Sequence, residues 1–204
     1  MALLTHILRH SHRRILLAGL VAALQVPTNH AAPTAAPLAG AERPTEYAVV
    51  ANYLAVFLRY VTWPTPAADT PTEAPLRIGV LGPNPFGKTL ETVVEDKKLR
   101  GRPLATSYAT APEPLAECEV VFVNLDDAAA RTAALAAFAG KPVLTAVYLS
   151  GTPDSRPTGA VIELVRVDNN VRYRLNARAL AAQGLRPTPG LLENALRQIG
   201  ESAP

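Results

Sequence analysis

Histidine is missing after residue 30, cysteine occurs once, and no aspartate or glutamate precedes residue 42. His6, His10, His12 and His30 leave the remaining five-sixths of the chain without an imidazole. That excludes His-assisted serine or cysteine nucleophiles there, and the usual imidazole metal sites. Cys118 stands alone, so an internal disulfide and a Cys-x-x-Cys redox pair are both impossible. It lies just before the apolar run Val120-Val121-Phe122-Val123, where a thiol is expected to behave as a small buried hydrophobe. A surface thiol linking two subunits in an oxidising compartment is the alternative. Charged residues make up only 18% of the chain and apolar ones 49%, enough to bury a core.

The absence of early acidic residues explains the basic balance. Arg9, Arg13 and Arg14 precede residue 42. Without them the twenty cations become seventeen, equal to the seventeen anions. A neutral remainder carries no electrostatic footprint for a phosphate backbone, so nucleic acid is not expected as a partner. The basic segment has the form of a secretory leader: cations to Arg14, a short apolar core from Ile15 to Val26, then Pro27 and an Ala/Pro-rich tract. Ala39-Gly40-Ala41 has the small-x-small pattern of a cleavage site, and cleavage nearer Ala31 fits as well. The apolar run is shorter than the ~20 residues of a membrane span. No cysteine at its end calls for lipid attachment. The expectation is a leader over residues 1–41, a single domain over 42–204, export to the periplasm, and no membrane insertion after processing.

Within the remainder, Tyr47, Val50, Ala51, Leu54, Leu58 and Val61 recur at helical spacing from Thr45 to Trp63. Thr45 suits the cap, and Trp63-Pro64 is expected to end the helix. Asn52 and Arg59 lie off the apolar stripe, which argues against a membrane helix. Pro64 to Pro75 reads as a loop. Strands are predicted at Leu76–Leu81, Leu104–Tyr108, Glu119–Val123 and Val143–Leu149, with helices from Pro85 to Val94 and from Asp126 to Phe138. Ala160–Val167 and Val171–Leu175 flank Asp168-Asn169-Asn170 as a hairpin. Asn176 is expected to cap a short helix ending near Gly184, and Thr188-Pro189 to open a last helix closed by Gly200. The fold class is α/β: a largely parallel sheet with helices on both faces and an antiparallel C-terminal edge hairpin.

Gly82-Pro83-Asn84-Pro85-Phe86-Gly87-Lys88-Thr89 matches the phosphate-binding expression G-x-x-x-x-G-K-[ST], between a predicted strand and a predicted helix. Asp126 and Asp127 after the next strong strand resemble a Mg²⁺-holding pair. A small nucleotide-binding enzyme is therefore the alternative reading. Against it, such a loop works through successive backbone N–H groups, and Pro83 and Pro85 have none. A strand-to-helix turn with Phe86 packed inward accounts for the same residues, and the two aspartates are equally explained as helix caps.

Taken in order, Glu46-Tyr47, Trp63-Pro64, Leu81-Gly82 to Pro85-Phe86-Gly87, Gly101-Arg102-Pro103-Leu104, Cys118, Pro142-Val143-Leu144-Thr145, Gly159-Ala160-Val161-Ile162, Val171 to Asn176 and Leu191-Leu192 form a series. That series resembles the YfiR-like family of periplasmic proteins over almost all of the chain after the leader. The resemblance implies an α/β domain, often a homodimer, with no catalytic activity and no cofactor. It implies as partner the periplasmic segment of an inner-membrane diguanylate cyclase, held inactive so that cyclic di-GMP and biofilm growth stay low. A sensor kinase or another membrane receptor is the alternative partner. With Cys118 alone, the intramolecular disulfide switch of the family's best-known member is not carried over. Arg186-Pro187-Thr188-Pro189-Gly190 is also richer in proline than the family pattern. For partner binding the candidates are Trp63 as aromatic anchor and Glu163, Arg172, Tyr173 and Arg174 on the edge hairpin. The plainer readings are that Trp63 fills a gap under the sheet and that the charges defend an edge strand.

Overall fold

The computed structural model describes residues 43–64, 74–150, 157–196 and 198–199. The leader, most of the loop after Pro64, the side chain of Thr45 and the expected stop at Gly200 lie outside the described residues. The chain opens with α1 (Arg43–Tyr60), β1 (Val61–Thr62), β2 (Leu76–Leu81), α2 (Thr89–Val94), β3 (Lys98–Leu99) and β4 (Arg102–Ala109). A 3₁₀ turn at Glu113–Leu115 leads to β5 (Val120–Val123), α3 (Ala128–Ala137), β6 (Leu144–Leu149), β7 (Ile162–Val167) and β8 (Asn170–Asn176). Then come α4 (Ala177–Ala182), β9 (Arg186–Pro187), α5 (Pro189–Glu193) and β10 (Gln198–Ile199).

One sheet runs in the order β10-β8-β7-β6-β5-β2-β4-β3. Its centre is parallel, with Ile78 opposite Val120 and Val120 opposite Leu144. The β7–β8 hairpin is antiparallel, and β10 lies parallel to the last residues of β8. A strand apolar at every position needs cover on both faces. β5 has it: Val120 and Phe122 join the core beneath α1, while Val121 and Val123 join a second core with Leu135 and Phe138. α1 buries Val50, Leu54, Phe57 and Leu58 completely, and each contributes about 1.5–3 kcal/mol of transfer free energy. The mixed α/β class, the parallel centre and the hairpin match the sequence reading.

α1 begins at Arg43, so Thr45 lies inside the helix and does not cap it, and β4 runs Arg102–Ala109 where Leu104–Tyr108 was expected. Three further boundaries differ for local reasons. α1 stops at Tyr60, not at Trp63, because β-branched Val61 and Thr62 turn extended and pair antiparallel with Pro187 and Arg186. The residue before Pro64 also disfavours helix. α2 starts at Thr89 because Asn84 organises a turn ahead of it: its Oδ1 accepts from Phe86 N at 2.9 Å and its Nδ2 donates to Gly87 O at 3.0 Å. α5 ends at Glu193, and the chain returns to the sheet as β10. The hairpin turn itself follows expectation, since Asp168 (φ 47°) and Asn169 (φ 64°) occupy the left-handed region that these residues tolerate. Asp127 and Asn176 cap α3 and α4, accepting from Ala130 N and Ala179 N.

Candidate partner-binding site

The five candidate binding residues do not share one surface. Alternation along β7 and β8 sends Val171, Tyr173 and Leu175 into the core under α1, against the expectation that Tyr173 meets a partner, and Glu163 and Arg174 to the opposite face. Sequence reasoning took that opposite face to be open. For Glu163 and Arg174 it is covered, and their expected presentation to a partner is corrected. Glu163 is 0% exposed and Arg174 6%, with Arg174 Nη2 2.8 Å from Glu163 Oε2. The other carboxylate oxygen accepts from the backbone N–H of Thr158 and from its hydroxyl at 2.8 Å. A buried carboxylate held by a guanidinium and two further donors ties the Thr158 loop to the sheet. That is structural work.

Tyr173 is also interior. Its ring packs edge-on to Phe57 at 5.3 Å and Tyr53 at 5.8 Å, and its hydroxyl donates to Leu191 O at 2.7 Å. Burial pushes its pKa up to about 12. Arg172 remains exposed. It lines a cleft of about 260 Å³ with Tyr53, Val56, Tyr60 and the start of α5. Trp63 is half-buried and lines a different hollow, at the end of the sheet where the central strands β2 and β5 begin.

The structure adds a surface that the sequence reading missed. Along the outer side of α1, Val49, Val56 and Tyr60 are 39%, 40% and 41% exposed, beside exposed Asn52 and Arg59. The signal was available: Val49 and Val56 lie off the stripe that defines the core face, a place where polar residues are usual. Val56 lines both the Arg172 cleft and a second one with Arg59, Lys97 and Lys98. The outer face of α1 is thus apolar along its middle with cations beside it.

The phosphate-loop match resolves into a packed turn. Phe86 is 4% exposed and meets Phe122 at 5.1 Å and Tyr47 at 5.7 Å, both edge-on. Gly82 N donates to Ala109 O, Phe86 N to Asn84 Oδ1 and Thr89 N to Phe86 O, so these amides already have acceptors. The Asn124 amide closes the turn from the other side by donating to Pro83 O at 2.7 Å. Among the described residues no group of His, Cys, Asp or Glu side chains converges as a metal site would, and no helix is long and apolar enough to cross a membrane.

A family model described as YfiR/HmsC-like matches residues 47–196, well over half of the chain. The comparison with curated proteins gives no match.

Proposed function

Because the chain belongs to the YfiR/HmsC-like family, we propose that it is a periplasmic regulatory protein that restrains a membrane-anchored signalling enzyme, a diguanylate cyclase, by direct contact. The observation that carries this reading is the extent of the family match, which runs from the first turns of α1 to just beyond α5. Residues 1–41 serve as the export leader and are removed. The mature chain then acts without catalysis, by binding one state of its partner in preference to another. A regulator that binds the inactive state about a hundredfold more tightly supplies about 2.7 kcal/mol towards it.

The outer face of α1, with Val56 and Tyr60 between Arg59 and the Arg172 cleft, is the contact surface. Exposed apolar side chains beside cations suit a partner segment that is apolar with acidic flanks. Deleting the gene raises intracellular cyclic di-GMP, and complementation with Val56→Glu fails to lower it. Fractionation places the processed chain in the periplasm, and crosslinking recovers the cyclase. An unchanged cyclic di-GMP level with no membrane protein captured refutes the reading; capture of a sensor kinase refutes the choice of a cyclase.

A further inference from the structure

At the end of the sheet where the central strands β2, β5 and β6 begin, the structure holds a hollow of about 550 Å³, within the range of small-molecule sites. Its apolar wall comes from Trp63, Pro64, Leu76, Cys118 and Pro142. Trp63 is the only tryptophan of the chain. The indole packs against the core by its ring, but its Nε1 is shielded from water and has no acceptor among the described residues. An occupant that brought an acceptor oxygen would satisfy that donor once the ring turned its N–H towards the hollow.

The rim is mixed in charge, and the charges differ in how they are held. Arg102 is fixed: its Nε donates to Ala74 O and its Nη2 to Pro75 O at 3.2 Å and Glu119 Oε1 at 3.1 Å. Glu119 also accepts from Arg77 N through its other oxygen, so this pair neutralises itself. Arg100, Lys141 and Glu117 remain exposed on the rim, with no ion pair or side-chain hydrogen bond among the described residues. The rim thus carries two exposed cations and one exposed anion beside the apolar wall.

We propose that this hollow binds a small organic carboxylate, its apolar body against Trp63 and Leu76 and its charge towards Arg100 and Lys141. A cation of the same shape has only Glu117 to meet and is rejected by the two basic side chains. The site does not depend on the restraint of a cyclase, and its test is separate.

Trp63 makes the hollow its own reporter. Titrating the full chain with phenylacetate, and in parallel with 2-phenylethylamine, is followed by tryptophan fluorescence and calorimetry. Phenylacetate gives a saturable change with a submillimolar Kd, and the amine gives none. Arg100→Asn with Lys141→Gln weakens phenylacetate on the order of tenfold. Asn suits position 100, where φ is 55°. Trp63→Phe removes the N–H while keeping a ring, and calorimetry then reads weaker binding. No saturable signal by about 10 mM, equal binding of the amine, or undiminished binding in the double variant overturns the proposal.

Discussion

Replacing Arg174 by leucine removes the counter-ion of a carboxylate that has no access to water. Glu163 is 0% exposed, and its remaining partner is Thr158, which donates to only one of its two oxygens. Breaking a buried pair from one side costs about 3–5 kcal/mol, because the abandoned charge stays desolvated. Glu163→Gln costs a similar amount: the amide oxygen still accepts from Thr158, but the guanidinium, 6% exposed, loses its carboxylate. Exchanging both residues for apolar ones of similar volume recovers much of the loss, because no charge then remains buried. Urea unfolding measures this directly. With a slope of about 1–3 kcal/mol per molar, a 3 kcal/mol loss moves the midpoint by about 1–3 M. If Arg174→Leu shifts the unfolding free energy by less than about 0.5 kcal/mol, the pair is not structural and the carboxylate reaches water. The same experiment separates packing from recognition: a partner contact loses binding at unchanged stability.

Phe86→Ala empties a space between Phe122 and Tyr47 and lowers stability by about 3–5 kcal/mol in denaturant titration, while exposed Lys88→Ala stays within about 0.5 kcal/mol. Nucleotide protection against unfolding that is lost in Lys88→Ala would contradict the packed-turn account. Gly82 holds φ at 96°, and a Cβ there meets Asn124 O at 2.4 Å, so Gly82→Ala costs more than about 1 kcal/mol by thermal unfolding. Burial pushes the Cys118 thiol up from its ordinary value near 9 to about 11, with Glu119 adding to the shift. Between those values the unfolded chain has released the proton and the folded chain still holds it. Stability therefore declines as pH rises from about 9 to 11, by about 2 kcal/mol at most. Cys118→Ala flattens that part of the stability–pH curve, and equal slopes in the two proteins would rule the thiol out.

The central sheet was legible because its strands carry apolar residues at nearly every position, which only a doubly covered sheet accommodates. Caps at Asp127 and Asn176 and the Asp168-Asn169 turn were legible because short side chains at those points satisfy backbone groups locally. Glu163 and Arg174 misled for a specific reason. Period-two alternation reports that two residues share a face, and here it did so correctly, but it says nothing about whether that face is covered. Thr158 and Arg174 together hold Glu163, and whether a sheet face is covered is a tertiary matter with no local signature. The pairing of Val61–Thr62 with Arg186–Pro187 was equally hidden, since its partners are more than a hundred residues apart and each strand is two residues long. The outer face of α1 was readable in principle. It was passed over because attention to the buried stripe treats the remaining positions as solvated by default.

That hidden pairing bears on how a ligand and a protein partner would influence each other. Tyr60, at the end of α1, lines the Arg172 cleft, and Trp63, three residues later, lines the hollow. Between them lies β1, clamped to β9, with Thr188 N donating to Tyr60 O at 2.9 Å. A displacement of the Trp63 backbone would therefore reach Tyr60 through two extended, paired residues. The connection is short, and coupling through it would require an element whose equilibrium both sites bias. Linkage then makes a quantitative demand: whatever factor phenylacetate imposes on partner affinity, the partner must impose on phenylacetate. Measuring both factors with purified components, and again with Thr62→Gly loosening the clamp, decides the matter. Equal factors that fall towards one in the glycine variant place the coupling in β1, and factors unaffected by the glycine place it elsewhere.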